Sequence, residues 1–122
     1  MAKNKKVFVF DDNVDILELC TIILEDAGYD IKTSSTSNDI IGQVMGYMPD
    51  IIFMDNWLPD VGGKDATRAL KAHETLKNIP VIYFSANNDV KSLAVQAGAD
   101  GYLSKPFDIE ELEEIIHKHL AI

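Results

Sequence analysis

Residues 7–13, VFVFDDN, place two adjacent carboxylates, Asp11 and Asp12, directly after four consecutive apolar side chains. A continuous apolar run of this length, rather than an alternating one, is typical of a parallel strand that is covered on both faces. Similar apolar runs occur at residues 51–54 and 80–84. The sequence therefore predicts a buried parallel sheet whose first strand ends in two like charges.

Segments with helical spacing separate these runs. We expect helices over about residues 14–27, 37–47, 64–74, 88–97 and from 108 onward. Weaker strands are expected at 29–33 and 101–104. Gly28 and Gly98 are stop signals, and Asp108 with Glu111 forms a capping-box pair at the start of the last helix. The predicted apolar stripe of the first helix comprises Ile16, Leu19, Cys20, Ile23 and Ala27.

The chain thus alternates strand and helix five times. This order predicts an α/β fold with a doubly wound five-stranded parallel sheet, helices on both faces and right-handed crossovers. Such sheets commonly have strand order 2-1-3-4-5, the flavodoxin-like (βα)5 arrangement, and bind ligands at the carboxyl ends of strands 1 and 3. We expect a single domain over residues 1–122.

The composition limits the classes of function. A net charge of −9 disfavours direct contact with nucleic acid. No apolar run approaches the roughly 18 residues of a membrane span, and no apolar signal-peptide core follows the opening MAKNKK. Cys20 is the single cysteine, which is typical of a reducing compartment. We therefore expect a cytoplasmic protein that binds cations or other proteins, with no membrane contact.

Polar residues gather at the predicted carboxyl ends of the strands. Asp11 and Asp12 follow the first, Asp55 ends the third, Ser85 ends the fourth and Lys105 follows the fifth. Because neighbouring strands lie about 4.8 Å apart, these side chains should meet. Three carboxylates against one ammonium favour a hard divalent cation, and oxygen ligands with room for water favour Mg²⁺ over Ca²⁺. Such a site suits a phosphoryl group, with Asp55 as the nucleophile that forms an aspartyl phosphate.

Four motifs, in order, resemble the receiver domain of two-component response regulators, the CheY-like family, over essentially the whole chain. The first is VFVFDDN, and the second is MDNWLPDVGG at 54–63, where Pro59 follows Asp55 by four residues and Gly63 follows Pro59 by four. The third is FSA at 84–86, and the fourth is GADGYLSKPF at 98–107.

The resemblance implies that Asp55 accepts a phosphoryl group from a histidine kinase or phosphotransfer protein. It also implies that Mg²⁺ binds to Asp12, Asp55 and the backbone carbonyl of Trp57, with Asp11 acting largely through water. A bulky Trp57 beside the phosphoryl group would obstruct an attacking water and prolong the phosphorylated state.

The same resemblance implies a conformational switch. Ser85, followed by the small Ala86, would bond a phosphoryl oxygen, and Lys105 would pair with the phosphoryl group next to a cis peptide at Pro106. Tyr102 would turn inward as Ser85 moves, which would alter the surface of the fourth helix, fifth strand and fifth helix for a downstream protein. The chain would act as a monomer or a phosphorylation-promoted dimer, and not as an enzyme beyond its own phosphorylation and dephosphorylation.

Other classes of protein also place an acid at a strand end. Phosphohydrolases of the haloacid-dehalogenase type need Asp-x-Asp after the first strand, where this chain has Asn13 after the acidic pair. A flavodoxin-like FMN binder needs a Ser/Thr/Gly-rich loop there, and a receiver-like scaffold that never uses phosphate stays open. No output domain is evident, so a stand-alone receiver, a relay protein and the N-terminal domain of a longer regulator are all compatible with the sequence.

Overall fold

The computed structural model describes residues 5–59, 61–86 and 88–120, in which five strands alternate with five helices. The strands are β1 (Lys6–Phe10), β2 (Asp30–Ser34), β3 (Ile51–Asp55), β4 (Val81–Ser85) and β5 (Gly101–Ser104). The helices are α1 (Val14–Asp26), α2 (Ile40–Tyr47), α3 (Gly63–Ala72), α4 (Val90–Ala97) and α5 (Ile109–Leu120). Within these residues no helix is long and apolar enough to cross a membrane.

The strands form one parallel sheet in the order β2-β1-β3-β4-β5. This confirms the predicted flavodoxin-like, doubly wound α/β fold. Two apolar clusters fill the space on either side of the sheet, one beneath α2, α3 and α4 and the other beneath α1 and α5. All five residues of β3 and of β4 are buried, which is why their sequences are continuous apolar runs.

The predicted helix ends are largely confirmed. Gly28 and Gly98 adopt positive φ angles of 95° and 79° after α1 and α4. The amide of Glu111 donates to the Asp108 carboxylate at 2.8 Å, and the amide of Asp108 donates to the Glu111 carboxylate at 3.2 Å. The capping box therefore fixes the start of α5 as the sequence predicts.

The predicted apolar face of α1 is confirmed at Cys20, which is buried, and at Ile16 and Ile23, which pack partly buried against the same cluster, but it is wrong at Leu19. Leu17, Cys20 and Leu24 are buried against the sheet, whereas Leu19 is 45% exposed. Apolar residues occur on more than one side of this helix, so its rotation about its own axis is set by packing against β1 and β2 rather than by its own pattern.

The second helix begins three residues later than expected, at Ile40. Asp39 stands before it in the left-handed region, with φ 50°, and its carboxylate accepts the amide of Gly42 at 3.3 Å. A side chain at Gly42 would collide with that carboxylate, so the glycine that weakens the helix also permits its cap. Ser37, predicted to open this helix, is instead buried under a neighbouring loop.

Candidate functional site

Three carboxylates meet where β1 and β3 end. The register pairs Phe10 with Met54, so the residues that follow them lie side by side. One carboxylate oxygen from each of Asp11, Asp12 and Asp55 lies within 4.8 Å of the other two. Asp11 and Asp55 are buried and Asp12 is exposed. The predicted convergence of these three residues is therefore present in the fold.

Lys105 reaches into this cluster from the loop after β5. Its Nζ donates to the Asp11 carboxylate at 2.5 Å and to the Asp55 carboxylate at 3.1 Å. The same ammonium lies 4.5 Å from the centre of the Phe84 ring. The Lys105 amide bonds the Ser85 carbonyl at 2.9 Å, and the peptide between Lys105 and Pro106 is cis. One lysine is thus shared between two buried carboxylates.

The charges of the cluster are only partly compensated. Burial, followed by the nearby charge of Asp11, raises the pKa of Asp55 from 3.8 to about 6, although Lys105 opposes this rise. Burial lowers the pKa of Lys105, but its bonds to Asp11 and its attraction to Asp55 outweigh burial and leave that pKa above its ordinary value. A further positive charge in the cluster would favour the ionised form of Asp55 and lower its pKa.

The residues present fit a bound Mg²⁺. Hard divalent cations of this size bind through carboxylate and carbonyl oxygens and keep several waters. Asp11, Asp12 and Asp55 offer such oxygens within the reach of one ion, and the exposure of Asp12 leaves the cluster open to water. The donor set is all oxygen, with no thiolate or imidazole in it, which favours Mg²⁺ over softer metals.

The other predicted site residues lie at the end of β4 and on the segment that follows β3. Ser85 ends β4 and is buried, and Ala86 after it is exposed. Trp57 is 76% exposed, on the segment that leaves β3. Gly63 packs so closely on the Asp55 carbonyl that a side chain there would collide with it, whereas Pro59 lies on the exposed part of the same loop.

Tyr102 lies away from the cluster, on the surface formed by α4, β5 and α5. Its side chain is 43% exposed. A cleft of about 440 Å³ is lined there by residues of all three elements, among them Val95, Tyr102 and Lys118. The structure therefore places the predicted switch aromatic on the predicted partner surface, where it is partly exposed and lines the cleft.

Sequence reasoning missed two contacts that hold the loop between β3 and α3. The hydroxyl of the buried Ser37 donates to the carbonyl of Pro59 at 3.0 Å and accepts the amide of Val61 at 3.0 Å. At the other end of the loop, the hydroxyl of Tyr83 donates to the side-chain carbonyl of Asn56. A tyrosine within an otherwise apolar strand was a signal for the second contact, whereas Ser37 lies in a polar run that gives no signal of burial.

A 2-1-3-4-5 sheet with clustered carboxylates, a lysine and a hydroxyl at its strand ends defines a receiver-type signalling domain. The sequence model that describes the response regulator receiver domain family matches residues 7–117 of this chain, so the chain belongs to that family. It is a receiver domain of two-component systems, a signalling family in which phosphorylation and Mg²⁺ binding are general features.

Both kinases and regulators occur among similar proteins. The chain is 33% identical over 110 residues to the phosphate regulon transcriptional regulatory protein PhoB of Pseudomonas aeruginosa, with 88% of this chain and 48% of PhoB covered. It is 32% identical over 111 residues to the CAI-1 autoinducer sensor kinase/phosphatase CqsS of Vibrio cholerae, with 88% of this chain and 16% of CqsS covered. The chain therefore spans less than half the length of these curated relatives.

A solved structure shows the same architecture with a metal. The receiver domain of a sensor histidine kinase from Pseudomonas aeruginosa PAO1, described with a magnesium ion coordinated in its active-site cleft, superposes with a TM-score of 0.89. The two are 27% identical, and the match covers 98% of this chain and 100% of that one.

Proposed function

We propose that Asp55 is the phosphoacceptor of this receiver domain. The observation that carries the proposal is the contrast among the three clustered acids. Asp11 is engaged by Lys105 and by the amide of Asn13 at 2.8 Å, and Asp12 is exposed beside the cluster. Asp55 is buried at the end of the central strand, and its raised pKa indicates a charge that the fold does not fully compensate.

In the proposed reaction a carboxylate oxygen of Asp55 attacks the phosphorus of a phosphohistidine on a histidine kinase or phosphotransfer protein. An O–P bond forms, the P–N bond breaks, and the imidazole of the donor leaves with the electron pair and takes a proton. Asp12, Asp55 and the Trp57 carbonyl would hold Mg²⁺, with Asp11 acting through its water. When bound, Mg²⁺ supplies positive charge that favours a phosphoryl group.

Lys105 would change partner during this reaction. Its ammonium is now divided between Asp11 and Asp55. Once Asp55 carries the phosphoryl group as an acyl phosphate, it loses its own negative charge and gains phosphoryl oxygens that carry more, so Lys105 would turn to those oxygens. Ser85, buried at the end of the adjacent strand, would donate its hydroxyl to another of them, with Ala86 leaving room beside it.

The partner surface would respond through Tyr102. We propose that movement of Ser85 opens space into which the Tyr102 ring turns, so that the cleft between α4 and α5 changes shape for a downstream protein. A two-state surface needs only a few kcal/mol of differential interaction to change its population. The chain would act in the cytoplasm as one receiver unit over residues 1–122, as a monomer or a phosphorylation-promoted dimer, without turnover of a free substrate.

Intact-mass measurement after incubation with Mg²⁺ and a small phosphodonor tests the central step. We expect one added phosphoryl group on the parent chain and on an Asp65→Asn control, which removes an exposed acid of α3. The adduct should be absent in Asp55→Asn. Absence of an adduct with every donor would favour a phosphate-independent scaffold, and sustained release of phosphate from a phosphoester would favour a phosphohydrolase.

A further inference from the structure

Tyr83 places a hydroxyl in a part of the core where a phenylalanine would pack equally well. It lies in β4, whose five residues are all buried, and its own side chain is fully buried. Its register partner on β3 is Met54, which also belongs to the apolar cluster, and its register partner on β5 is Tyr102. A buried phenol is retained without cost only where its hydroxyl finds an acceptor. The acceptor is the side-chain carbonyl of Asn56, the first residue after Asp55.

Asn56 is also held through its main chain. The amide of Gly63 donates to the Asn56 carbonyl at 3.2 Å. Gly63 lies so close to the Asp55 carbonyl that a side chain at Gly63 would collide with it, and it would also crowd the Asn56 Cα. Two hydrogen bonds, one to the side chain of Asn56 and one to its carbonyl, thus hold the exit from β3, with Gly63 packed closely against it.

Trp57 itself is placed mainly by its neighbours. Its side chain is 76% exposed, whereas Leu58, the next residue, is buried in the apolar cluster. The main chain at Trp57 is therefore held between Asn56 on one side and Leu58 on the other. Loss of the Tyr83 contact would leave the Asn56 side of this short span held by the Gly63 amide alone.

We propose that Tyr83 is a positioning residue for the Mg²⁺ site: by holding Asn56, it fixes the backbone that presents the Trp57 carbonyl. The inference rests on the proposed function, in which that carbonyl is a metal ligand. A ligand on an ordered backbone binds without first losing conformational freedom. Removal of a group that orients a metal ligand without binding the metal itself typically lowers metal affinity by roughly 10–100-fold.

A purely stabilising role for the hydroxyl makes a different prediction. In that case Tyr83→Phe would lower the free energy of unfolding but leave the Mg²⁺ affinity unchanged, because the backbone of the folded protein would keep its position. Affinity and stability must therefore be measured separately on the same variant.

The experiment is a Mg²⁺ titration of the full chain followed by the fluorescence of Trp57, the single tryptophan. We expect Tyr83→Phe to bind Mg²⁺ roughly 10-fold more weakly than the parent chain. Tyr47→Phe is the matched control, since Tyr47 is a partly buried tyrosine that packs against the same apolar cluster, edge-on to Phe8 with the ring centres 5.7 Å apart. That control should bind Mg²⁺ like the parent.

A double-mutant cycle identifies the route. If Tyr83 acts through Asn56, Tyr83→Phe should cause little further loss of affinity in an Asn56→Ala background. Without metal, the amide of Gly63, which bonds the Asn56 carbonyl, should also exchange its hydrogen faster in Tyr83→Phe than in Tyr47→Phe.

Two failures are distinguishable. If Tyr83→Phe binds Mg²⁺ with an affinity within twofold of that of the parent, the positioning role is overturned and the proposed function stays intact. A parent chain that shows no response to Mg²⁺, by fluorescence or by thermal stability, would overturn the Mg²⁺ site of the proposed function and the inference with it.

Discussion

Asp55→Asn should stabilise the metal-free protein, even though it removes the proposed phosphoacceptor. Burial and the charge of Asp11 raise the pKa of Asp55 to about 6, so the ionised carboxylate is less favourable in the fold than in the unfolded chain. Asparagine keeps the shape of the side chain and removes the charge. The bond from Lys105 to Asp11 remains in the variant.

The magnitude follows from the displaced pKa. Asp55 titrates at about 6 rather than 3.8, and one pKa unit corresponds to about 1.4 kcal/mol. We therefore expect the free energy of unfolding of Asp55→Asn to exceed that of the parent by about 3 kcal/mol well above pH 6.

The pH dependence has a definite sign. Below about pH 4 the carboxyl group is protonated in both the folded and the unfolded parent, so parent and variant should be equally stable. Between about pH 4 and 6 the unfolded parent releases this proton first, and the parent loses stability relative to the variant as pH rises. Above that interval the difference should level off.

Urea unfolding at a series of pH values, with a metal chelator present, measures this difference. Glu18→Gln is the matched control, because Glu18 is an exposed acid of α1 and its neutralisation should change stability by less than about 0.5 kcal/mol. Saturating Mg²⁺ should stabilise the parent more than Asp55→Asn, since the variant lacks one of the carboxylates. A metal-free variant no more stable than the parent at pH 8 would refute the electrostatic reasoning.

Three further substitutions test the loop between β3 and α3. Ser37→Ala should lower the free energy of unfolding by about 1–3 kcal/mol, because it removes the hydroxyl that bonds both the Pro59 carbonyl and the Val61 amide; an unchanged urea midpoint would contradict this. Gly63→Ala should lower the same quantity by about 3 kcal/mol through collision with the Asp55 carbonyl, and unaltered stability with full phosphorylation by a small phosphodonor would show that the loop adjusts freely. Trp57→Ala should lose its aspartyl phosphate several-fold faster than the parent, because the bulky ring no longer shields the acyl phosphate from water; equal rates of dephosphorylation, followed by intact mass, would count against shielding.

The three acids of the site are predictable because they depend on the chain order of strands and on little else. A buried parallel strand has a continuous apolar run in its sequence, and the first charged residue after that run indicates its carboxyl end. Five such units in succession bring Asp11, Asp12 and Asp55 to the same edge, since all parallel strands end on that edge. The helix stop at Gly98 and the capping box of Asp108 are equally local, because each is decided by residues within one turn.

Only the tertiary structure shows which side chains from distant parts of the sequence contact one another. Lys105 and Asp11 are 94 residues apart in the chain, Tyr83 and Asn56 are 27 apart, and Ser37 and Val61 are 24 apart. The sequence by itself determined the type and order of the strands and helices and the chemistry at the strand ends, because these follow from short-range periodicity and from the direction of parallel strands. It did not determine which carboxylates the lysine bonds, whether Leu17 and Leu24 or Leu19 of α1 are buried, or which hydroxyls hold the loop. Those depend on the angles and distances at which separate elements pack, and these are fixed only when the whole core closes.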